Sequence, residues 1–488
     1  MSDTATAADR VAAAPATGQT PATAGRIGAR LDRMPITPLH RSLTLVIGVG
    51  LLFDTFENSL SGTIAKVLQN DFQFGTTSLK LVLASAFIGQ FIGSLTLGWV
   101  ADRYGRRRAF LVNLALYSGF SLLGAFSPNA AWLIATRFLA GIGIGAEQML
   151  SDCYLAEVLP ARKRGRYIAW AYTLAFCGVP AVGFAALWLV PLSPLGIDGW
   201  RWLFVLGSLG SAVVWVLRRR LIESPRWLAT AGHHEEAERL VTRMEAECPA
   251  PPAPPEAPAD AAERAEVPRP RLRDVLGPGL GRRTAMLWIF STLSVVGYYG
   301  FGTLVPQILA AKGYGIVAGL GFTALSFLGY PVGSALALPI IDRVERRTLV
   351  AASAAAMVVA GMGFAMTGTP ALIVASGFAY TLFSNLFSSV SHVYLSEQYP
   401  TAIRATASGT AYSLSKLSAA ALPFVLLPVL QTYGPGALFG VIAGTTAVLC
   451  ATVLGLGERT TGVTVDHVPV PTGLPKDRNQ PLDNARSD

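Results

Sequence analysis

The chain has 488 residues, 52% hydrophobic and 14% charged, with 39 Lys and Arg against 30 Asp and Glu for a net charge of +9. Soluble domains average about 25% charged residues, so this composition, with a mean hydropathy of +0.45, excludes a large water-soluble enzyme and points to a polytopic membrane protein. The basic residues cluster in short loops between apolar runs, a topology signal rather than a nucleic-acid footprint, and the four cysteines form no CxxC, so no disulfide framework or metal site is expected.

Residues 1–41 are rich in Ala, Thr and Pro, carry Arg26, Arg30 and Arg33, and lack an apolar signal-peptide core. They are expected to be a disordered cytoplasmic tail. Twelve spans follow, at roughly 42–66, 79–101, 109–127, 130–156, 167–191, 200–220, 284–311, 315–341, 348–367, 370–394, 405–430 and 434–457. Backbone polar groups in lipid must be satisfied internally, so the spans are helices and the fold is all-α. Residues 42–220 make an N-terminal six-helix bundle and 284–457 a C-terminal one. Between them, 221–283 holds an amphipathic stretch, HHEEAERLVTRMEAE, and a Pro-rich tract that reads as a linker. Residues 458–488 form a second tail.

Basic residues orient the chain. DRYGRRR follows span 2, ARKRGR follows span 4, Arg218, Arg219 and Arg220 follow span 6, and DRVERR follows span 8. Even-numbered loops and both termini are therefore expected in the cytoplasm. The halves repeat with one offset of 240: Asp102 with Asp342, Tyr154 with Tyr394, Glu157 with Glu397, Pro160 with Pro400, Arg164 with Arg404. A parallel repeat of six and six spans predicts a transporter with its site between the halves.

Span 1 contains LLFDTFENSL, which places Asp54 and Glu57 within an apolar run. A charge at the centre of a membrane helix costs about 2.5–3.5 kcal/mol even on the lenient insertion scale, so intramembrane ionisable groups are functional by default. Arg137 in span 4 is a candidate countercharge, followed by Gly141, Gly143 and Gly145, which let helices approach closely. Lys416 in span 11 suits a substrate carboxylate as a point charge. Asn58, Gln148, Tyr298, Tyr299, Gln307 and Asn385 are candidate cavity-lining residues for substrate, aromatics suiting an aromatic or small cyclic one. Glu147 beside Gln148 is a candidate interhelical hydrogen-bonding group, and His392 is read mainly as a helix contact. His233 and His234 lack companion ligands for a metal, and no P-loop occurs, which argues against ATP-driven transport.

GWVADRYGRRRAF, RFLAGIGIGAE, YLAEVLPARKRGR, ESPRWLATAGHHEEA, YLSEQYPTAIRATASG and GERTTG together resemble the signatures of the major facilitator superfamily, over roughly residues 42–462. Within it they are similar to the sugar-porter and metabolite:proton symporter branches, and the YYG…LVP pattern of span 7 looks like the aromatic-acid symporters. The resemblance implies alternating access and no cofactor. It implies that Asp54 and Arg137 form a proton-coupling pair; Glu57 either faces the cavity as a second titrating group or lies near the outer water. Asp102, at the cytoplasmic end of span 2, is placed to meet the N-terminus of a neighbouring helix and nearby arginines, and Glu157, Arg164, Glu397 and Arg404 to meet the DR loops; with Arg103, Arg106, Asp342 and Arg343 these are the gating candidates, the alternative being charges that only fix topology. The expected function is proton-coupled symport of a small organic anion or related metabolite by a monomer in the cell membrane. A sugar or polyol porter and a proton-driven drug exporter are the alternatives, and a non-transporting receptor is a third.

Overall fold

The computed structural model of the chain describes residues 20–248, 281–341, 343–397 and 401–457, with the backbone alone at 20–24, 396–397 and 401–408. Every regular element among the described residues is helical. α1 (Thr20–Arg33) precedes the first span, α2 (Pro38–Thr63), which is followed by the short α3 (Ala65–Asp71). Then come α4 (Thr76–Tyr104), α5 (Arg106–Ala125), α6 (Ala130–Gly145), α7 (Glu147–Val158), α8 (Ala161–Phe176), α9 (Gly178–Leu189) and α10 (Gly199–Arg218). Two short helices, α11 (Pro225–Thr230) and α12 (His234–Ala246), lead out of this half. The second half contains α13 (Gly281–Ala311), α14 (Ile316–Phe327), α15 (Gly329–Ile340), α16 (Arg346–Met366), α17 (Pro370–Glu397) and α18 (Thr401–Leu456).

Among the described residues, eleven helical stretches are long and apolar enough to cross a membrane, three of them built from helix pairs broken at a single residue: α6 and α7, α8 and α9, α14 and α15. The last stretch, Gly409–Leu456, has 48 residues. At about 1.5 Å per residue it is more than twice the depth of a hydrocarbon core of roughly 30 Å. It is interrupted at Gly434, where φ is 80°, so it supplies two spans and the total is twelve. The Gly-rich face of α6 lies directly on α4. A Cβ at Gly141 would come within 2.2 Å of the Ala86 carbonyl oxygen, and one at Gly145 within 2.2 Å of that of Gln90.

The halves share a structural device at the offset of 240. Arg107 donates to the Arg219 carbonyl at the end of α10, and Arg347 donates to the carbonyls of Leu454 and Gly457 at 3.2 and 3.1 Å at the end of α18. Each arginine closes the last helix of its own half, where carbonyls lack helical partners.

The segment expected to be a disordered tail contains α1. Ile27 and Leu31 of α1 and Met34 just after it are buried in the core shared with α11 and α12. Arg26 and Arg30 pair with Glu238, and Arg30 also donates to both carboxylate oxygens of Glu245, at 2.9 and 2.6 Å. Asp32 accepts from Arg226 at 2.8 Å, from Arg164 at 3.1 Å and from the Ala161 N–H at 3.1 Å. The amphipathic stretch expected after span 6 is α12, and it is seated on the first half through these contacts. The Ala-rich composition of the tail hides α1, because its few apolar residues all fall on one face.

Candidate functional site between the two halves

Three carboxylates and two arginines are buried inside the first half. Glu57 is fully buried and pairs with Arg137, Nη1 to Oε2 at 3.0 Å, while Arg137 Nη2 donates to the Glu57 carbonyl at 2.9 Å. Ser121 donates to the other Glu57 oxygen at 2.7 Å. Arg137 also lies over the Phe204 ring. A second buried pair joins Glu147 to Arg218 at 2.5 Å, with Asn113 donating to Glu147 at 2.6 Å and Phe110 beneath the guanidinium. Both pairs occupy space left by glycine. A Cβ at Gly207 would stand 2.1 Å from Glu57 Oε1, and one at Gly50 would stand 1.9 Å from Arg218 Nη2.

Asp54 lies along α2 between these pairs. It is 3% exposed, and its Oδ1 has no hydrogen-bond partner among the described residues. The charges acting on it come from Glu147, Lys416, Arg218 and Glu57. The expected partnership of Asp54 with Arg137 is therefore corrected: the guanidinium sits on Glu57. The residues three apart in span 1 face different neighbours, because at 3.6 residues per turn they differ by about 60° around the helix.

Lys416 faces this cluster from the second half. Its Nζ donates to Tyr299 Oη at 3.3 Å and lies 4.9 Å from the Tyr412 ring centroid and 5.5 Å from that of Tyr299. Tyr412 donates to Gln148 Oε1 at 3.1 Å, joining the halves. Tyr298 lies behind Tyr299, edge-on to it and to Tyr330. Asn58 accepts from Gln90 at 2.7 Å, and Asn385 donates to the Tyr330 carbonyl at 2.6 Å. Gln307 stands apart from this centre and lines a separate cavity beyond Tyr299.

Asp152 is not among the sequence candidates, whereas His392 is, mainly as a helix contact; both lie on helices bordering this centre. Asp152 is one turn from Gln148 on the same face of α7, is exposed, and accepts from Tyr172 at 2.9 Å. His392 is exposed on α17. Asp152 and His392 differ by the repeat offset of 240, a signal present in the sequence.

At the loop end, Arg106 bridges Asp102 at 2.6 Å and Glu157 at 3.0 Å. Arg103 instead lies over Trp99 and Tyr104, and Arg164 is held by Asp32 rather than by the DR loop. The carboxylate at the N-terminus of α5 is Glu223, not Asp102. It accepts from the N–H groups of Arg106 at 2.9 Å and Arg107 at 3.2 Å. Burial pushes the Glu223 carboxyl above its usual range against the pull of these donors. Arg343 is exposed. Asp342 and the side chains of Glu397 and Arg404 lie outside the described residues.

Two bundles of six spans facing each other across a charged seam define a membrane carrier of the major facilitator fold. The profile of the sugar (and other) transporter family matches residues 46–470, and the chain belongs to that family. It is 32% identical over 405 residues to the putative metabolite transport protein YyaJ of Bacillus subtilis, covering 80% of this chain and 86% of that one. It is 27% identical over 440 residues to the niacin transporter NiaP of Acinetobacter baylyi, covering 90% and 98%. Its fold is similar to that of the xylose transporter XylE from E. coli in a partially occluded inward-open conformation. The TM-score is 0.71 at 21% identity, over 87% of this chain and 99% of that one. The protein is a multi-pass membrane transporter, not an enzyme.

Proposed function

We propose that the chain is a proton-coupled symporter of a small organic anion, an aromatic or other carboxylic acid, working by alternating access. One observation carries this reading. Glu57–Arg137 and Glu147–Arg218 are complete pairs, which leaves Asp54 in one half and Lys416 in the other as the buried charges that act on each other across the seam. Charge in a low-dielectric seam must balance. A substrate carboxylate that takes Lys416 as its counterion leaves Asp54 without one. Asp54 restores the balance by accepting a proton. Anion and proton are then bound together, and neither is stable alone.

The pairing also explains how the halves move. With substrate and proton bound, the seam carries no unpaired charge and the halves reorient at little electrostatic cost. With neither bound, Asp54 and Lys416 compensate each other across the seam, which again allows reorientation. With only one bound, a lone charge opposes closure. Coupling follows from this difference.

The DR-loop end and both termini are assigned to the cytoplasm by the distribution of Lys and Arg. The seam is closed at the other end by Gly62 against Thr303 and by Phe87 edge-on to Tyr299 at 5.0 Å. Asp152 and His392 are exposed toward the loop end, as in an inward-facing carrier. Arg106, Asp102, Glu157 and Glu223 then form the gating cluster of the first half.

An anion is favoured over a sugar because the central amides are already committed. Asn58 accepts from Gln90 and Asn385 donates to backbone, while Lys416 offers a cation framed by aromatic rings at the seam. Niacin, which names one relative, is an aromatic carboxylate. The test is uptake of aromatic acids, pyridine carboxylates, short organic acids and sugars in cells expressing the chain, with external pH recorded in weak buffer. External alkalinisation on adding an acid, lost in Asp54→Asn, supports the reading. A response to sugars alone would transfer it to the sugar porters.

A further inference from the structure

A cavity of 680 Å³ lies between the halves at the end away from the DR loops, lined by α3, the ends of α2 and α13, the start of α14 and the Gly434 break in α18. This volume suits a small-molecule site, since such sites span about 300–1,000 Å³. Beneath it, Phe87, Tyr299, Thr303 and Leu422 enclose a void of only 10 Å³, which admits no more than about one water. The cavity is therefore a closed-off vestibule, separate from Asp54 and Lys416.

Three features of its wall select an anion. Lys66 is half-buried in it and reaches only the Gln69 amide oxygen, at 3.4 Å, with no carboxylate partner among the described residues. By contrast, Lys312 nearby is consumed by the carbonyls of Ala365 and Thr367 at 2.8 and 2.6 Å. The N-terminus of α14 opens onto the cavity at Gly315 and Ile316, and no side chain caps it. Its first-turn N–H groups have no helical acceptors and carry the positive end of the helix dipole. Gln307 also lines the cavity. It is 7% exposed, and its Nε2 has no hydrogen-bond acceptor among the described residues. A buried amide donor without an acceptor is costly, and turning the amide so that Nε2 faces the cavity lets a ligand oxygen remove that cost.

We propose that this vestibule is a second binding site for a small carboxylate, held by Lys66, Gln307 Nε2 and the α14 N-terminus, and filled from outside before the gate at Phe87 and Tyr299 opens. The inference rests on the reading of the substrate as an organic anion. It adds a capture step in which the carboxylate is concentrated above the closed gate. Passage then requires the Phe87–Tyr299 contact to part, which delivers the anion to Lys416 on the far side of Tyr299.

Equilibrium binding of benzoate to the purified full-length chain separates the two sites, with benzamide as the uncharged control. The wild type is expected to show two sites, neither taking benzamide. Lys66→Gln and, independently, Gln307→Leu are expected to weaken one of them about tenfold and to raise the KM of uptake from outside more than they lower kcat. Lys416→Gln is expected to remove the other site. If both vestibule variants leave benzoate binding and KM unchanged, the vestibule proposal is overturned while the central site stands. If Lys416→Gln changes nothing and Lys66→Gln removes all binding, the vestibule stands and the central reading fails. Equal binding of benzamide and benzoate at the vestibule overturns the anion assignment.

Discussion

Asp54 and Lys416 are buried charges brought to the seam by different halves, so on the proposed reading their substitutions separate coupling from binding. Asp54→Asn fixes a neutral group where the proton is exchanged. It is expected to abolish accumulation against a gradient while preserving exchange of substrate across the membrane, measured as counterflow. Lys416→Gln removes the counterion, and the account predicts at least tenfold weaker anion binding, since hydrogen bonds to charged groups contribute about 1.5–3 kcal/mol. How much of this was legible in the sequence differs residue by residue. Asp54, Glu57, Arg137 and Lys416 stand out because a charge inside an apolar run is costly and must be compensated. Which carboxylate Arg137 takes depends on the rotation of α2 against α6, which packing decides and spacing does not. Arg218 opens a run of three arginines that reads as a topology signal. Its burial beneath the seam depends on Gly50 of another helix.

Among the helices, the two ion pairs within the first half act as staples, and their disruption is a question of folding rather than of coupling. Breaking a buried pair by removing one partner costs about 3–5 kcal/mol, whereas replacing both partners with apolar residues of similar volume is often neutral. Arg137→Met is therefore expected to lower thermal stability in detergent sharply. The double variant Arg137→Met with Glu57→Met is expected to recover most of it; a double variant no more stable than the single one would show that the pair is not acting as a unit. The contact of α4 with α6 is equally strict. Gly141→Leu places a side chain where even a Cβ meets the Ala86 carbonyl at 2.2 Å, and well-folded protein is expected to be lost on size-exclusion chromatography. The helix order and the broken spans follow from apolar runs, Gly and Pro. The helix α1 escaped notice because its stability comes from docking onto α11 and α12 rather than from propensity.

Across the whole molecule, the parallel repeat sets both the symmetry and the asymmetry that function requires. The offset of 240 places the DR loops, the helix-closing arginines and the pair Asp152 and His392 at matching positions. Among the described residues, the two ion pairs buried within the spans lie in the first half, and the second half brings Lys416 and its aromatic rings to the seam. On the proposed reading the proton site and the substrate site belong to different halves, which makes their occupancies interdependent each time the halves close on one another. The most direct test is the proton-to-substrate ratio and the voltage dependence of transport in proteoliposomes, using a monocarboxylate identified by the uptake screen. The account predicts one proton per monoanion, uptake driven by an inward proton gradient, no response to an imposed membrane potential, and loss of gradient-driven accumulation in Asp54→Asn. Potential-driven uptake of the monoanion, or undiminished accumulation by Asp54→Asn, would contradict it.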